Sequence, residues 1–246
     1  MTTLRLVGPG RAGRSLTSAL VDSGYVLRGV LTRGDDLSAA AADVDVVIIA
    51  TPDGAVAEVA AAIAPVEATV LLHMSGALGL DVLAPHRLRA SLHPLMPLPS
   101  PEVGRVRLLS GITFAVAGDK TATTLGQALG GRCIEIDDHH RAEYHAAACM
   151  AANHLVGLLG QVERVAASAG LGLDAFMPLA FAALQDVADL GPSTALTGPA
   201  ARGDAATLAR HRAALAPEER AGYDAGVALV RRLAAQSAGM EMAPCA

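Results

Sequence analysis

Residues 3–14 read Thr-Leu-Arg-Leu-Val-Gly-Pro-Gly-Arg-Ala-Gly-Arg, and this stretch decides the fold. A short strand-like run, Thr3 to Val7, passes at once into Gly8-x-Gly10-x-x-Gly13. A helical run from Arg14 to Ser23 follows, and Gly24 supplies its stop. Strand, glycine loop and helix in that order form a dinucleotide-binding fingerprint. Gly8 permits the tight turn, Gly10 lets the backbone approach a pyrophosphate, and Gly13 lets the helix pack closely on the strand. The phosphates then sit at the positive end of the helix. The expected cofactor contacts are Gly8, Gly10, Arg11, Ala12 and Gly13, with Thr51 and Pro52 from a later turn.

Strands and helices alternate outward from this stretch. Strands are predicted at Tyr25–Leu31, Val44–Ala50, Thr69–His73, Ala90–Leu92, Ile112–Val116 and Cys133–Ile136. A turn, Thr51-Pro52-Asp53-Gly54, opens a predicted Ala-rich helix to about Ala64, and another helix is predicted near Thr121–Leu129. Such alternation implies an α/β fold with a doubly wound, mostly parallel sheet of Rossmann type. After Asp138 no strand signal remains. Helices are expected over about Arg141–Ala169, Asp174–Leu190, Asp204–Leu215 and Pro217–Ser237. The expected organisation is an NAD(P)-binding domain over 1–138 and a smaller all-helical substrate and dimerisation domain over 139–246.

Composition narrows the function. The chain has 246 residues, 52% hydrophobic and 17% charged, with a net charge of −5, three Phe, three Tyr and no Trp. That excludes wholesale disorder and argues against a nucleic-acid binder, which needs a basic stripe or stacking platforms. Three scattered cysteines make neither a disulfide framework nor a four-thiolate zinc site. Tyr144 to Val162 carries no formal charge, but its two His, Asn and Gln suit a buried helix better than lipid. The chain is read as cytoplasmic, with a small-molecule substrate and no nucleic-acid or membrane partner. Lys120 is the sole lysine against 18 arginines, which nearly excludes chemistry that needs a catalytic lysine.

The second strand ends Leu31-Thr32-Arg33. A hydroxyl and a guanidinium suit a ribose 2′-phosphate, which favours NADP, while Asp35 and Asp36 keep NAD open. Two polar islands follow strands, His73-Met-Ser75-Gly76 and Ser91-Leu-His93-Pro94, where the reacting end of a cofactor points. His93 is the expected acid/base, with Ser75 and Asn153 positioning the substrate oxygen; a structural His before a proline turn is the plainer alternative. His145, Cys149 and Asn153 lie four residues apart on one helical stripe. Arg202, in a loop with Thr197, could clamp a carboxylate; an elaborate capping turn with Asp204 as N-cap reads the same residues. Asp137-Asp138-His139-His140 matches no standard metal-ligand spacing, so no metal is expected.

Together these residues resemble Rossmann-like proteins with a helical C-terminal domain of formerly unknown function, in the wider 6-phosphogluconate dehydrogenase-like and ketopantoate reductase-like group. The resemblance covers nearly the whole chain. It rests on His73-x-Ser75-Gly76, Ser91-Leu-His93-Pro94-Leu95, Tyr144-His145-x-Ala147-Ala148 with Asn153, and Leu196-Thr197-Gly198-Pro199 with Arg202-Gly203-Asp204 and His211. Ser75 and His93 resemble a serine and a His-Pro motif of prephenate dehydrogenases, where the His engages the substrate hydroxyl. Asn153 resembles the helix Asn of hydroxyacid dehydrogenases, but Cys149 replaces the lysine that precedes that Asn. The resemblance implies an NADP-dependent oxidoreductase acting on a small carboxylate-bearing oxo or hydroxy acid, with ketopantoate reduction as the leading specific case. It also implies a homodimer and adds His145, Thr197, Arg202 and His211 as substrate contacts. A non-catalytic dinucleotide sensor or regulatory subunit is the rival expectation.

Overall fold

The structure, a computed structural model, describes residues 1–241; Cys245 lies outside the described residues. Two compact units divide it, Met1–Ala152 and Asn153–Ala246.

The first unit is a seven-stranded sheet with helices on both faces. Its strands are β1 (Thr3–Val7), β2 (Val26–Leu31), β3 (Val46–Ile49), β4 (Val70–His73), β5 (Arg89–Pro94), β6 (Thr113–Gly118) and β7 (Arg132–Glu135). They run in the order β2-β1-β3-β4-β5-β6-β7. All neighbours pair in parallel except β5 and β6, which are antiparallel. Its helices are α1 (Arg11–Asp22), α2 (Asp53–Ala62), α3 (Pro101–Leu108), α4 (Thr121–Ala128) and α5 (Arg141–Cys149).

Alternation along each strand separates two cores. Leu4, Leu6, Ile48, Leu72, Leu92 and Phe114 pack against Leu16 and Leu20 of α1, Leu108 of α3 and Leu125 of α4. Val7, Val47, Ile49 and Leu71 pack against Val56 and Ala60 of α2 on the other face. All four residues of β3 are buried, as its unbroken apolar run predicts. Each large aliphatic side chain so buried contributes roughly 1.5–3 kcal/mol.

The first unit extends beyond Asp138, where the strand signal ends, because α5 is fastened into it. Arg141 is 2% exposed; it donates from Nε to Asp138 Oδ1 at 3.0 Å and from Nη2 to Ser91 on β5. The single long helix expected from Arg141 is not continuous. A π-helical stretch, Met150–His154, separates α5 from α6 (Leu155–Ser168).

The second unit contains α6, α7 (Met177–Leu190), the one-turn α8 (Pro192–Ala195), α9 (Ala205–Ala214) and α10 (Pro217–Glu241). Within it, Gln161 donates to the Glu219 carbonyl at 2.8 Å, and Arg164 pairs with the Glu219 carboxylate, tying α6 to α10. Asp204 caps α9 by accepting from the Thr207 amide at 3.0 Å, as expected. No single helix among the described residues is long and apolar enough to cross a membrane.

Candidate active site

The glycine loop lies where the strand order reverses, between β1 and β3. Gly8 has φ +87°, and a Cβ there would lie 2.8 Å from Thr51 Cγ2 and 2.9 Å from the Thr51 amide nitrogen. A Cβ at Gly13 would lie 2.8 Å from that of Ala50. These two glycines hold α1 against the ends of β1 and β3. Gly10 has nothing within 4 Å of where its Cβ would be. It is also the N-cap of α1 and offers no side chain to the first-turn amides. Those amides remain donors for an anion.

A cleft of about 440 Å³ runs from this loop to His93. Gly10, Arg11, Ala12, Ala50, Thr51 and Pro52 line one part; Met74, His93, Pro94, Met96 and Leu98 line the rest. Thr51 Oγ1 is buried and has no hydrogen-bond partner. A cradle of glycines, uncapped amides and an unpaired hydroxyl suits a dinucleotide, so Gly10, Arg11, Ala12, Thr51 and Pro52, which line it, fit the group.

At the end of β2, the Thr32 amide and hydroxyl both donate to Asp35 Oδ2, at 2.6 and 2.7 Å. These bonds hold the Asp35 carboxyl below its ordinary range. The Thr32 hydroxyl is thus spent on Asp35 rather than offered to a phosphate. Arg33 is exposed.

His93, Tyr144, His145 and Gly76 come together at the other end of the cleft. His93 Nδ1 lies 2.6 Å from Tyr144 Oη, with the rings edge to face. The His93 and His145 ring centroids are 5.9 Å apart. A Cβ on Gly76 would sit 2.8 Å from His145 Cδ2 and 2.9 Å from His93 Cε1, so only glycine fits between the two rings. Burial pushes the His93 pKa down to about 4, helped by His145 and Arg141; it is neutral at pH 7. Burial also pushes the Tyr144 phenol up to about 12. Cys149 Sγ lies 3.9 Å from His145 Nε2.

Other expected site residues have different work. Ser75 donates to Asp53 Oδ2 at 2.9 Å and accepts from the Ala77 and Leu78 amides, both at 3.1 Å. Its hydrogen-bonding capacity is therefore used inside the protein, and it shapes the turn after β4 instead of offering a free hydroxyl. His73 is fully buried, donates from Nε2 to the Gly79 carbonyl at 3.3 Å, and has its pKa pushed down to about 4, chiefly by burial. Asn153 is exposed, so burial does not compel it to find a partner. In the second unit Thr197, Arg202 and His211 are exposed, and His211 Nδ1 bonds the Tyr223 hydroxyl at 2.9 Å. His139 and His140 are exposed, and Asp138 accepts from the Leu80 amide and from Arg141. No group of three metal-ligating side chains converges among the described residues. Sequence reasoning gave no role to the Tyr144 hydroxyl, Asp53 or Arg141, whose partners lie 51, 22 and 50 residues away on the chain.

Residues 110–229 match a family model described as a domain of unknown function, DUF2520. No curated protein matches the chain. Among solved structures, the fold is similar to that of a Bacteroides fragilis protein provisionally described as an NADP oxidoreductase. That likeness has 19% identity and a TM-score of 0.78, over 94% of this chain and 98% of the other. It is similar too to the Thermotoga maritima protein TM1727, with 22% identity and a TM-score of 0.71, over 95% and 98%. A reductive aminase from Aspergillus terreus, solved with NADPH and ethyl levulinate, matches with 16% identity and a TM-score of 0.67, over 96% and 94%. At these identities the likeness establishes a shared fold, a Rossmann-type unit followed by a helical one.

Proposed function

We propose that this chain is an NADP-dependent oxidoreductase that reduces the carbonyl of a small carboxylate-bearing oxo acid, with ketopantoate as the leading candidate. The observation that carries the reading is the continuous cleft from the uncapped start of α1 to His93. Solved proteins of the same fold include one in complex with NADPH, which supports the choice of cofactor. Gly8, Gly10 and Gly13 shape the seat, the first-turn amides of α1 and Arg11 meet the pyrophosphate, and Thr51 gains a partner. Arg33 is the group for the 2′-phosphate. NADPH, when bound, supplies the hydride. His93 meets the substrate oxygen and exchanges its proton, while Met74, Met96 and Leu98 give that end of the cleft apolar walls. Ser75 acts at one remove, by holding the turn that carries Gly76.

Substrate contacts are assigned in the second unit on chemical type: Asn153 and Thr197 to an oxygen, Arg202 to the carboxylate, and His211 as a further polar contact. The same unit carries the proposed homodimer surface. Leu179, Phe181, Leu184, Val187 and Leu190 of α7 are all exposed, from 43% to 69%, a burial debt that a second copy would settle.

The test is NADPH oxidation with a panel of small 2-oxo acids, ketopantoate first, by wild type and by His93→Gln. The reading predicts turnover of at least one acid, and a kcat lower by roughly 10²–10⁴-fold in the variant with NADPH affinity within about twofold. Equal turnover in the variant contradicts the role of His93. NADPH binding without turnover of any acid favours the sensor alternative, which the replacement of the expected helix lysine by Cys149 motivates.

A further inference from the structure

We propose that Tyr144 is a positioning residue for His93: its phenol donates to Nδ1 and so holds the imidazole in the tautomer that carries hydrogen on Nε2. Three observations lead there. The Nδ1 to Oη distance of 2.6 Å fixes which ring nitrogen is engaged. Tyr144 Oη has no other hydrogen-bond partner among the described residues, so the phenol hydrogen has one acceptor and Nδ1 supplies the lone pair. His93 lines the cleft, and Gly76 leaves room beside the Cε1–Nε2 edge of the ring, which a Cβ there would approach at 2.9 and 3.0 Å. A neutral imidazole has one N–H; with Nδ1 accepting, that hydrogen is on Nε2.

The groups that face His93 keep this state. Arg141 and His145 on α5 and His73 on β4 oppose a positive ring, as burial does, while Asp53 on α2 favours one and is outweighed. The phenol keeps its proton, since its own pKa is raised to about 12 by burial. At neutral pH His93 is therefore a hydrogen-bond donor, not a base. That suits the oxygen of a carbonyl substrate and fits a site used for reduction.

The proton balance follows. The hydride belongs to the cofactor; the proton traffic belongs to the chain. As negative charge develops on the substrate oxygen, the Nε2–H bond breaks and an O–H bond forms. The phenol O–H breaks and Nδ1–H forms, so the imidazole stays neutral with its tautomer exchanged. Tyr144 is left as phenolate, and the Arg141 charge favours that anion. Solvent returns the proton. The net donor is a phenol of pKa about 12, acidic enough to protonate an alkoxide, and it takes the place of the missing lysine.

This inference rests on the oxidoreductase reading, but its test does not need a substrate. The full chain is labelled with ¹⁵N-histidine, and the His93 ring signals are assigned by their loss in His93→Gln. At pH 7 the wild type is expected to show Nδ1 unprotonated and Nε2 protonated. Tyr144→Phe is expected to shift His93 toward the other tautomer, with NADPH affinity within about twofold of wild type. In that variant, turnover of the best oxo acid should fall roughly 10- to 100-fold in kcat with KM little changed. A wild-type His93 protonated on Nδ1, or doubly protonated at pH 7, overturns the proposal even if Tyr144→Phe fails to fold. So does a folded variant with an unchanged tautomer. Failure of the underlying reading shows elsewhere, as no NADPH binding by wild type.

Discussion

Gly10 and Gly13 stand three residues apart, yet a methyl group should harm each differently. At Gly13 it meets Ala50 Cβ at 2.8 Å and the Gly8 carbonyl at 2.9 Å, an overpacking that costs roughly 1–3 kcal/mol. At Gly10 it meets nothing, so no overpacking arises and the folded state loses only the N-cap preference for Gly over Ala. Gly13→Ala should lower the thermal midpoint more than Gly10→Ala, which loses only an N-cap preference while weakening NADPH binding at least tenfold. Calorimetry and a binding titration read the two effects separately. The glycine loop was legible in the sequence because its spacing and its strand–helix context are local. The bonds from Tyr144 to His93 and from Ser75 to Asp53 were not, since each joins residues far apart on the chain and no periodicity encodes such a pairing.

The end of β4 carries a buried histidine and that of β5 a partly buried one, and this makes the elements acid-sensitive. His73 and His93 titrate near 6.5 in the unfolded chain and near 4 in the folded one. Between those values the unfolded chain binds more protons, so stability falls as pH falls through that window. Together the two groups should cost on the order of 5 kcal/mol by pH 4. Denaturant melts from pH 7 to 4 should show this loss, and His73→Gln or His93→Gln should flatten it; a flat profile in wild type contradicts the buried neutral state. Asp138 fastens α5 by accepting from Arg141 and from the Leu80 amide. Asp138→Ala leaves a buried guanidinium without its counter-ion, and should destabilise by about 1–3 kcal/mol, measurable as a lower denaturation midpoint.

Among the elements, the strands of the first unit were legible to within a few residues from apolar runs such as Val46–Ile49. Helix α3 was missed although Ser100 caps it, by accepting from the Val103 amide, and Pro101 opens it. It follows a run rich in proline and has little apolar periodicity, so the start signals stood alone. The π-helical Met150–His154 was also invisible, because its Met-Ala-Ala-Asn-His sequence is as compatible with an ordinary helix.

At the scale of the whole molecule, composition separated a sheet-bearing first unit from a helical second one, but not the point where they part. The strand signal stops at Asp138, whereas the first unit runs on through α5 into the π-helical stretch as far as Ala152, with Arg141 and Tyr144 anchored in it. The apolar face of α7 belongs to this scale. Ten consecutive exposed residues, 181–190, include Phe181, Leu184, Val187 and Leu190. If a second copy covers them, light scattering will give twice the chain mass of 24.9 kDa. The double variant Phe181→Glu with Leu184→Glu should then run as a monomer.

The central claim is that the cleft beside the glycine loop holds NADP. Fluorescence titration of the purified chain with NADPH and NADH tests it most directly. The account predicts saturable NADPH binding at least tenfold tighter than NADH, with the preference lost in Arg33→Ala. Absence of binding by either nucleotide would contradict the account at its root, and with it every role assigned to His93.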